Sequence, residues 1–231
     1  MTTGLQWAVL AVCVGCSLWR LPAAAKGRNR GLFWSFLLVS LAVALSIPAI
    51  YVQVDGVLGR ENLANVVLRL SLFAVFFLLA AKIAAAYKAP VARRLIRGPV
   101  GLAVVSASSA GILAMYFLSE LHGSSPGLAA FFDQPTVVAY MWIGRGYQAY
   151  VAACLVPATG RAAFSRLPAL DRSAALSMCL GFAGVCLTLV VQATGWHGAA
   201  LMTALSFGSI LLVAAGLVLV WVSYMRRPVK H

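Results

Sequence analysis

Seven apolar runs of roughly 20 residues follow one another along this chain, and a helix of about that length spans the ~30 Å hydrocarbon core of a bilayer. Inside lipid the backbone must satisfy its own polar groups, so runs of this kind resolve into helices. They lie at about 3–19, 31–54, 63–86, 100–119, 135–157, 173–194 and 198–224, leaving little chain between them. Of the 231 residues, 62% are hydrophobic and 10% charged, where a soluble domain needs about 25% charged residues to cover its surface. The predicted fold is all-α: a polytopic membrane protein, one domain over 1–231, built as a bundle of seven transmembrane helices.

Lys and Arg concentrate in alternate connections. Arg20, Lys26, Arg28 and Arg30 separate the first two runs, and Lys82, Lys88, Arg93, Arg94 and Arg97 surround the end of the third. Arg161, Arg166 and Arg172 separate the fifth and sixth, and Arg226, Arg227 and Lys230 follow the seventh, bringing this side to 15 of 18 basic residues. The other side holds Arg60 and four of the five carboxylates, Asp55, Glu61, Glu120 and Asp133. Cytoplasmic loops carry the excess of Lys and Arg, so the N-terminus is expected outside and the C-terminus in the cytoplasm, with the chain a multi-pass protein of the cell membrane.

The formal charge of +13 therefore reflects topology, and the partner it implies is the lipid bilayer, with no nucleic acid. Tyr51, Tyr116 and Trp196 fall at the expected outer interface; Trp19, Trp34, Tyr87, Trp221 and Tyr224 fall at the inner one. Arg20 and Lys26 follow the first run and no basic residue precedes it, which is the charge order of an N-out anchor rather than a cleaved leader. Pro48 and Pro157 remove backbone donors at or within runs, so kinks are expected there. The longest polar connection, 87–99, reads first as a solvated loop and second as an amphipathic helix using Arg93, Arg94 and Arg97 to approach anionic lipid.

Two arginines fall inside runs, where insertion costs roughly 2.5–3.5 kcal/mol and a partner or water is required. Arg69 lies about 12 Å along the third helix from Glu61, and Arg145 about 15 Å along the fifth from Pro135, at 1.5 Å per residue. Asn62, Asn65 and Arg69 recur at intervals of three and four and are expected on one helical face. Gln148 follows Arg145 by three, Tyr140 and Tyr147 add hydroxyls, and Gly144 and Gly146 would let a helix or ligand approach the backbone. The third and fifth helices are thus expected to line a polar cavity entered from outside, with Glu120 and Asp133 near its rim. Two readings follow: Asn62, Asn65, Arg69, Glu120, Asp133, Tyr140, Arg145 and Gln148 bind a small anionic ligand or lipid, or the arginines bond helix-end carbonyls, Asn side chains or Glu120 and hold the bundle together.

No catalytic residues, metal site or cofactor are expected. Cys13 and Cys16 form C-x-x-C inside an apolar run, Cys154, Cys179 and Cys186 are dispersed, and His122, His197 and His231 sit apart at run ends. Ser106, Ser108 and Ser109 have no mid-membrane base beside them in sequence, so an intramembrane enzyme is the least favoured class. The seventh run has no Lys for a retinal Schiff base. Small residues at four-residue spacing, Ala103, Ala107 and Gly111 and again Ala200, Ala204 and Gly208, favour close helix contacts within the chain or in a homo-oligomer.

The seven-run plan, the 60–65 segment with Arg69 following, and the sequence Phe131, Phe132, Asp133, Gln134, Pro135 before the fifth run carry a resemblance. In these the chain resembles a group of actinobacterial integral membrane proteins labelled as transporters. Members often continue into a cytoplasmic region after the last span, whereas this sequence stops at His231. The resemblance implies no catalytic residue. The expected function is non-enzymatic recognition of a small anionic or amphipathic ligand, as transporter or sensor. The alternative is a membrane scaffold or regulatory subunit that binds a membrane or cytoplasmic protein through helix faces and basic loops.

Overall fold

The computed structural model describes residues 2–27, 30–194 and 199–226. Arg28, Trp196, His197, Arg227, Lys230 and His231, which carry sequence expectations, lie outside the described residues. All regular structure among the described residues is helical: α1 (Thr2–Ala25), α2 (Arg30–Ser46), α3 (Pro48–Val57), α4 (Leu63–Ala86), α5 (Pro90–Arg97), α6 (Pro99–Phe117), α7 (Pro135–Ala163), α8 (Ala169–Ala193) and α9 (Ala199–Arg226). A short 3₁₀ segment, Pro126–Phe131, lies between α6 and α7.

Among the described residues three helices, α4, α6 and α8, are long and apolar enough to cross a membrane. A fourth crossing arises if the second apolar run is one broken span, because its two parts, Phe33–Ser46 and Pro48–Val57, meet at 96°. Pro48 does more than kink this run. It disfavours the helical region for the residue before it, and Ile47 is extended (φ −83, ψ 117), so the chain stops at Ser46 and restarts with Pro48 in the first turn of α3. Pro157, by contrast, sits inside α7, which continues to Ala163. At 29 residues α7 has the length of a span, but Arg145 and Gln148 interrupt its apolar centre.

The 87–99 connection contains a helix, not only a solvated loop. α5 is an eight-residue helix with Ala92 and Ile96, one turn apart, buried, while Arg93 and Arg94 are exposed. Buried positions four apart place one face of so short a helix against the protein and turn its basic face outward.

The chain divides into two compact units, Met1–Leu79 with Ala103–Gly144, and Ala80–Leu102 with Arg145–His231. In the first, Leu45, Tyr51 and Ala64 form a buried cluster joined by Val54 and Leu68. On α6 the small residues Ala103 and Ala107 are exposed, whereas a Cβ at Gly111 would stand 3.0 Å from the Ile143 side chain. In the second unit α8 and α9 pack with almost nothing between their backbones. A Cβ at Gly181 would come within 2.8 Å of the Ser209 carbonyl oxygen, and one at Gly216 within 2.9 Å of the Ala174 carbonyl oxygen. Gly208 has no neighbour within 4 Å of such a Cβ, and the side chains of Ala200, Ala204, Trp221 and Tyr224 lie outside the described residues.

Candidate functional site

In the first unit a polar system is assembled from α3, α4, α6, α7 and the 118–125 segment. It begins on α3, where Tyr51 and Asp55 are one helical turn apart and both buried, with Asp55 fully enclosed. A helix N-terminus leaves its first backbone N–H groups without intrahelical partners, and α4 meets that need with this carboxylate. The N–H of Asn62 donates to Asp55 Oδ2 at 3.2 Å, and that of Ala64 to Asp55 Oδ1 at 3.3 Å. Ser124 Oγ adds a third donor at 2.5 Å.

Asn62 does not share the helical face of Asn65 and Arg69, as its spacing predicts. It precedes α4 with φ +60, a left-handed conformation that Asn tolerates better than most residues, and its side chain turns to the 118–125 segment. Its Nδ2 donates to the carbonyls of Gly123 at 2.8 Å and Leu121 at 3.4 Å. Its Oδ1 accepts from Ser125 N–H at 2.7 Å and Tyr51 Oη at 3.0 Å. All four hydrogen-bonding positions of the amide are thus occupied. Gly123 N–H to Arg60 O at 3.0 Å and Tyr116 Oη to Glu61 O at 3.0 Å complete the clamp.

One and two turns into α4, Asn65 and Arg69 meet α7. Tyr140 Oη donates to Asn65 Oδ1 at 2.9 Å, and the Arg69 guanidinium carbon stands 5.9 Å from the Tyr140 ring centroid. Gly144, one turn beyond Tyr140, leaves room for the guanidinium: a Cβ there would lie 3.1 Å from Arg69 Nη1. Arg69 Nη2 donates to Met141 Sδ, a weak acceptor, at 2.8 Å, while the buried Nε has no hydrogen-bond partner. A cation inside a span-length apolar helix is therefore held by a ring face, a thioether and a glycine gap.

The remaining expected site residues are Glu120, Asp133, Arg145 and Gln148. Glu120 is exposed; Gln134 brackets its backbone, accepting from Glu120 N–H at 3.1 Å and donating to its carbonyl at 2.8 Å. With Glu61, Tyr116 and His122 it lines a cavity of about 300 Å³ that does not include Arg69. Asp133 is exposed before α7. Arg145 and Gln148 lie further along α7 in the second unit, each half-buried. Asp55, Tyr51, Ser124 and Met141 are participants that sequence reasoning missed. Asp55 gave one signal, a carboxylate four residues after a Tyr at the end of an apolar run, but as a charge it counted only toward orientation.

No protein-family model, curated protein or solved structure matches this chain.

Proposed function

We propose that this chain is a seven-span protein of the cytoplasmic membrane, N-terminus outside, that recognises a small anionic or amphipathic ligand as a transporter or sensor, with Arg69 as the anion-binding group. The length of α1, α7 and α9, at 24, 29 and 28 residues, and the alternation of basic connections support the topology. The observation that carries the ligand reading is Arg69 itself. Its Nε is enclosed without a hydrogen-bond partner and its Nη2 donates to a sulfur, a weak acceptor. A guanidinium offers five N–H groups in a planar fork suited to a carboxylate or phosphate, and an intramembrane cation with donors in reserve is suited to receive one.

The test is thermal unfolding of the purified protein with acetate and benzoate as probes, in wild type, Arg69→Met and Arg69→Lys. Wild type is expected to be stabilised by at least one probe. Arg69→Met should lose that shift yet be at least as stable without probe, because a buried charge without a counter-ion has been removed. Arg69→Lys should bind more weakly, lacking the fork. Loss of folded protein on Arg69→Met would instead make the arginine structural, and an unchanged shift would put the anion elsewhere.

A further inference from the structure

At the other end of α4, within the second unit, lies a second cavity, of about 590 Å³, whose chemistry is opposite to that of the outer one. Tyr87 to Pro90 line it from the α4–α5 turn, and Arg161, Ser165 and Arg166 from the end of α7 and the turn after it. Three full positive charges, a hydroxyl and a phenol face this space, and no carboxylate is among its lining residues. Its volume falls within the roughly 300–1,000 Å³ of small-molecule sites.

Two helices end here, and helix C-termini oppose an anion with about half a negative charge each. Here the exposed carbonyls are already used. Lys88 N–H donates to Ala85 O at 3.1 Å and Ala89 N–H to Ala84 O at 2.9 Å, the paired bonds of a Schellman ending. At the end of α7, Ser165 Oγ donates to Ala162 O at 2.7 Å and Arg172 Nε to Ala163 O at 3.2 Å. The three side-chain cations therefore dominate the local field.

Lys88 occupies the left-handed position of that ending, φ +49, where glycine is usual and a residue with a Cβ is strained. The strained position thus presents a cation to the cavity, and strain of this kind gathers at ligand sites. The surroundings are apolar and exposed: Phe164 is 82% exposed, Val91 64% and Leu167 42%. Tyr87 is half-buried, its phenol pushed up to about 12 by burial and then by Asp171, so it stays a neutral donor at physiological pH. Asp171 itself accepts a hydrogen bond from Ser223.

We infer that this basic cavity, formed by Lys88, Arg161, Ser165 and Arg166 at the end of a membrane-length helix, binds a phosphate group, that of an anionic phospholipid or of a soluble phosphate ion. Lys88, Arg161 and Arg166 neutralise the oxygens, Tyr87 donates a hydrogen bond, and the apolar rim accommodates acyl chains if the phosphate belongs to a lipid. This site is separate from Arg69 and does not depend on that residue's role.

The test is binding to the delipidated full-length protein, with three probes: phosphatidylglycerol, phosphatidylcholine and inorganic phosphate. Native mass spectrometry reads lipid adducts, and titration calorimetry reads phosphate. Wild type is expected to retain phosphatidylglycerol over phosphatidylcholine if the source is lipid, or to bind inorganic phosphate if it is soluble. The pair Arg161→Gln/Arg166→Gln should weaken either by tenfold or more. Lys88→Gly relaxes the backbone while removing a charge, so it should unfold no lower than wild type and still bind severalfold more weakly, separating binding from folding. Equal retention of both lipids without phosphate binding, or variants that bind as wild type does, would overturn the inference.

Discussion

Replacing Asp55 tests whether the clamp at the start of α4 is the element that orders this end of the first unit. Asp55→Ala removes the acceptor for two backbone N–H groups at the start of α4 and for the Ser124 hydroxyl, in a site with no solvent exposure. Each buried donor left without a partner costs about 1–3 kcal/mol. The Ser124 hydroxyl can rotate toward another acceptor, whereas the two backbone N–H groups are fixed, that of Ala64 by the helix and that of Asn62 by the clamped turn before it. The change also relieves the desolvation of a carboxylate, which offsets part of the loss. The net destabilisation expected is about 3 kcal/mol, near the upper end for a point substitution. Asp55→Asn keeps one acceptor oxygen but turns an amide toward the other N–H, so about 2 kcal/mol is expected; Ser124→Ala, which removes one donor, should cost about 1 kcal/mol. Equilibrium unfolding in mixed micelles at increasing dodecyl sulfate, followed by far-ultraviolet circular dichroism, measures all three. Asp55→Ala within 1 kcal/mol of wild type, or no worse than Ser124→Ala, would refute the assignment of the clamp to this carboxylate.

The Asn65–Tyr140 pair should behave as a coupled unit: Tyr140→Phe leaves a buried amide oxygen unsatisfied and should cost about 1–2 kcal/mol, while adding Asn65→Leu should recover much of that loss in the same unfolding assay. Tyr87 supplies a pH test. Its folded phenol titrates near 12 against an ordinary value of 10, so its contribution to stability is complete below pH 10 and lost as pH rises from 10 to about 12. The difference between the 295 nm titrations of wild type and Tyr87→Phe should isolate a late-ionising tyrosine, and Tyr87→Phe should flatten the alkaline fall in stability over that window.

How much of this was legible beforehand depends on the range of the forces involved. The apolar runs that became α4, α6 and α8 stood in the sequence because their length and composition are local properties, and α4 begins and ends where its run did, at Leu63 and Ala86. Pro48 was legible as a disturbance for the same reason, although the 96° turn it permits depends on what α3 packs against. The polarity of Arg69 and its spacing from Asn65 were visible too. Hidden were the partners: nothing local says that Met141 and Gly144, more than 70 residues away, would receive the guanidinium, or that Asp55 would leave the loop charges to cap α4. Helical periodicity assigned Asn62 to a face it never joins, because a left-handed residue before the first turn obeys the loop it holds and not the helix it precedes. The sequence determined that this chain is apolar and helical, since each run must satisfy its backbone internally. Which polar groups are enclosed and left with donors in reserve was decided only by tertiary packing, because that depends on residues brought together from distant parts of the chain.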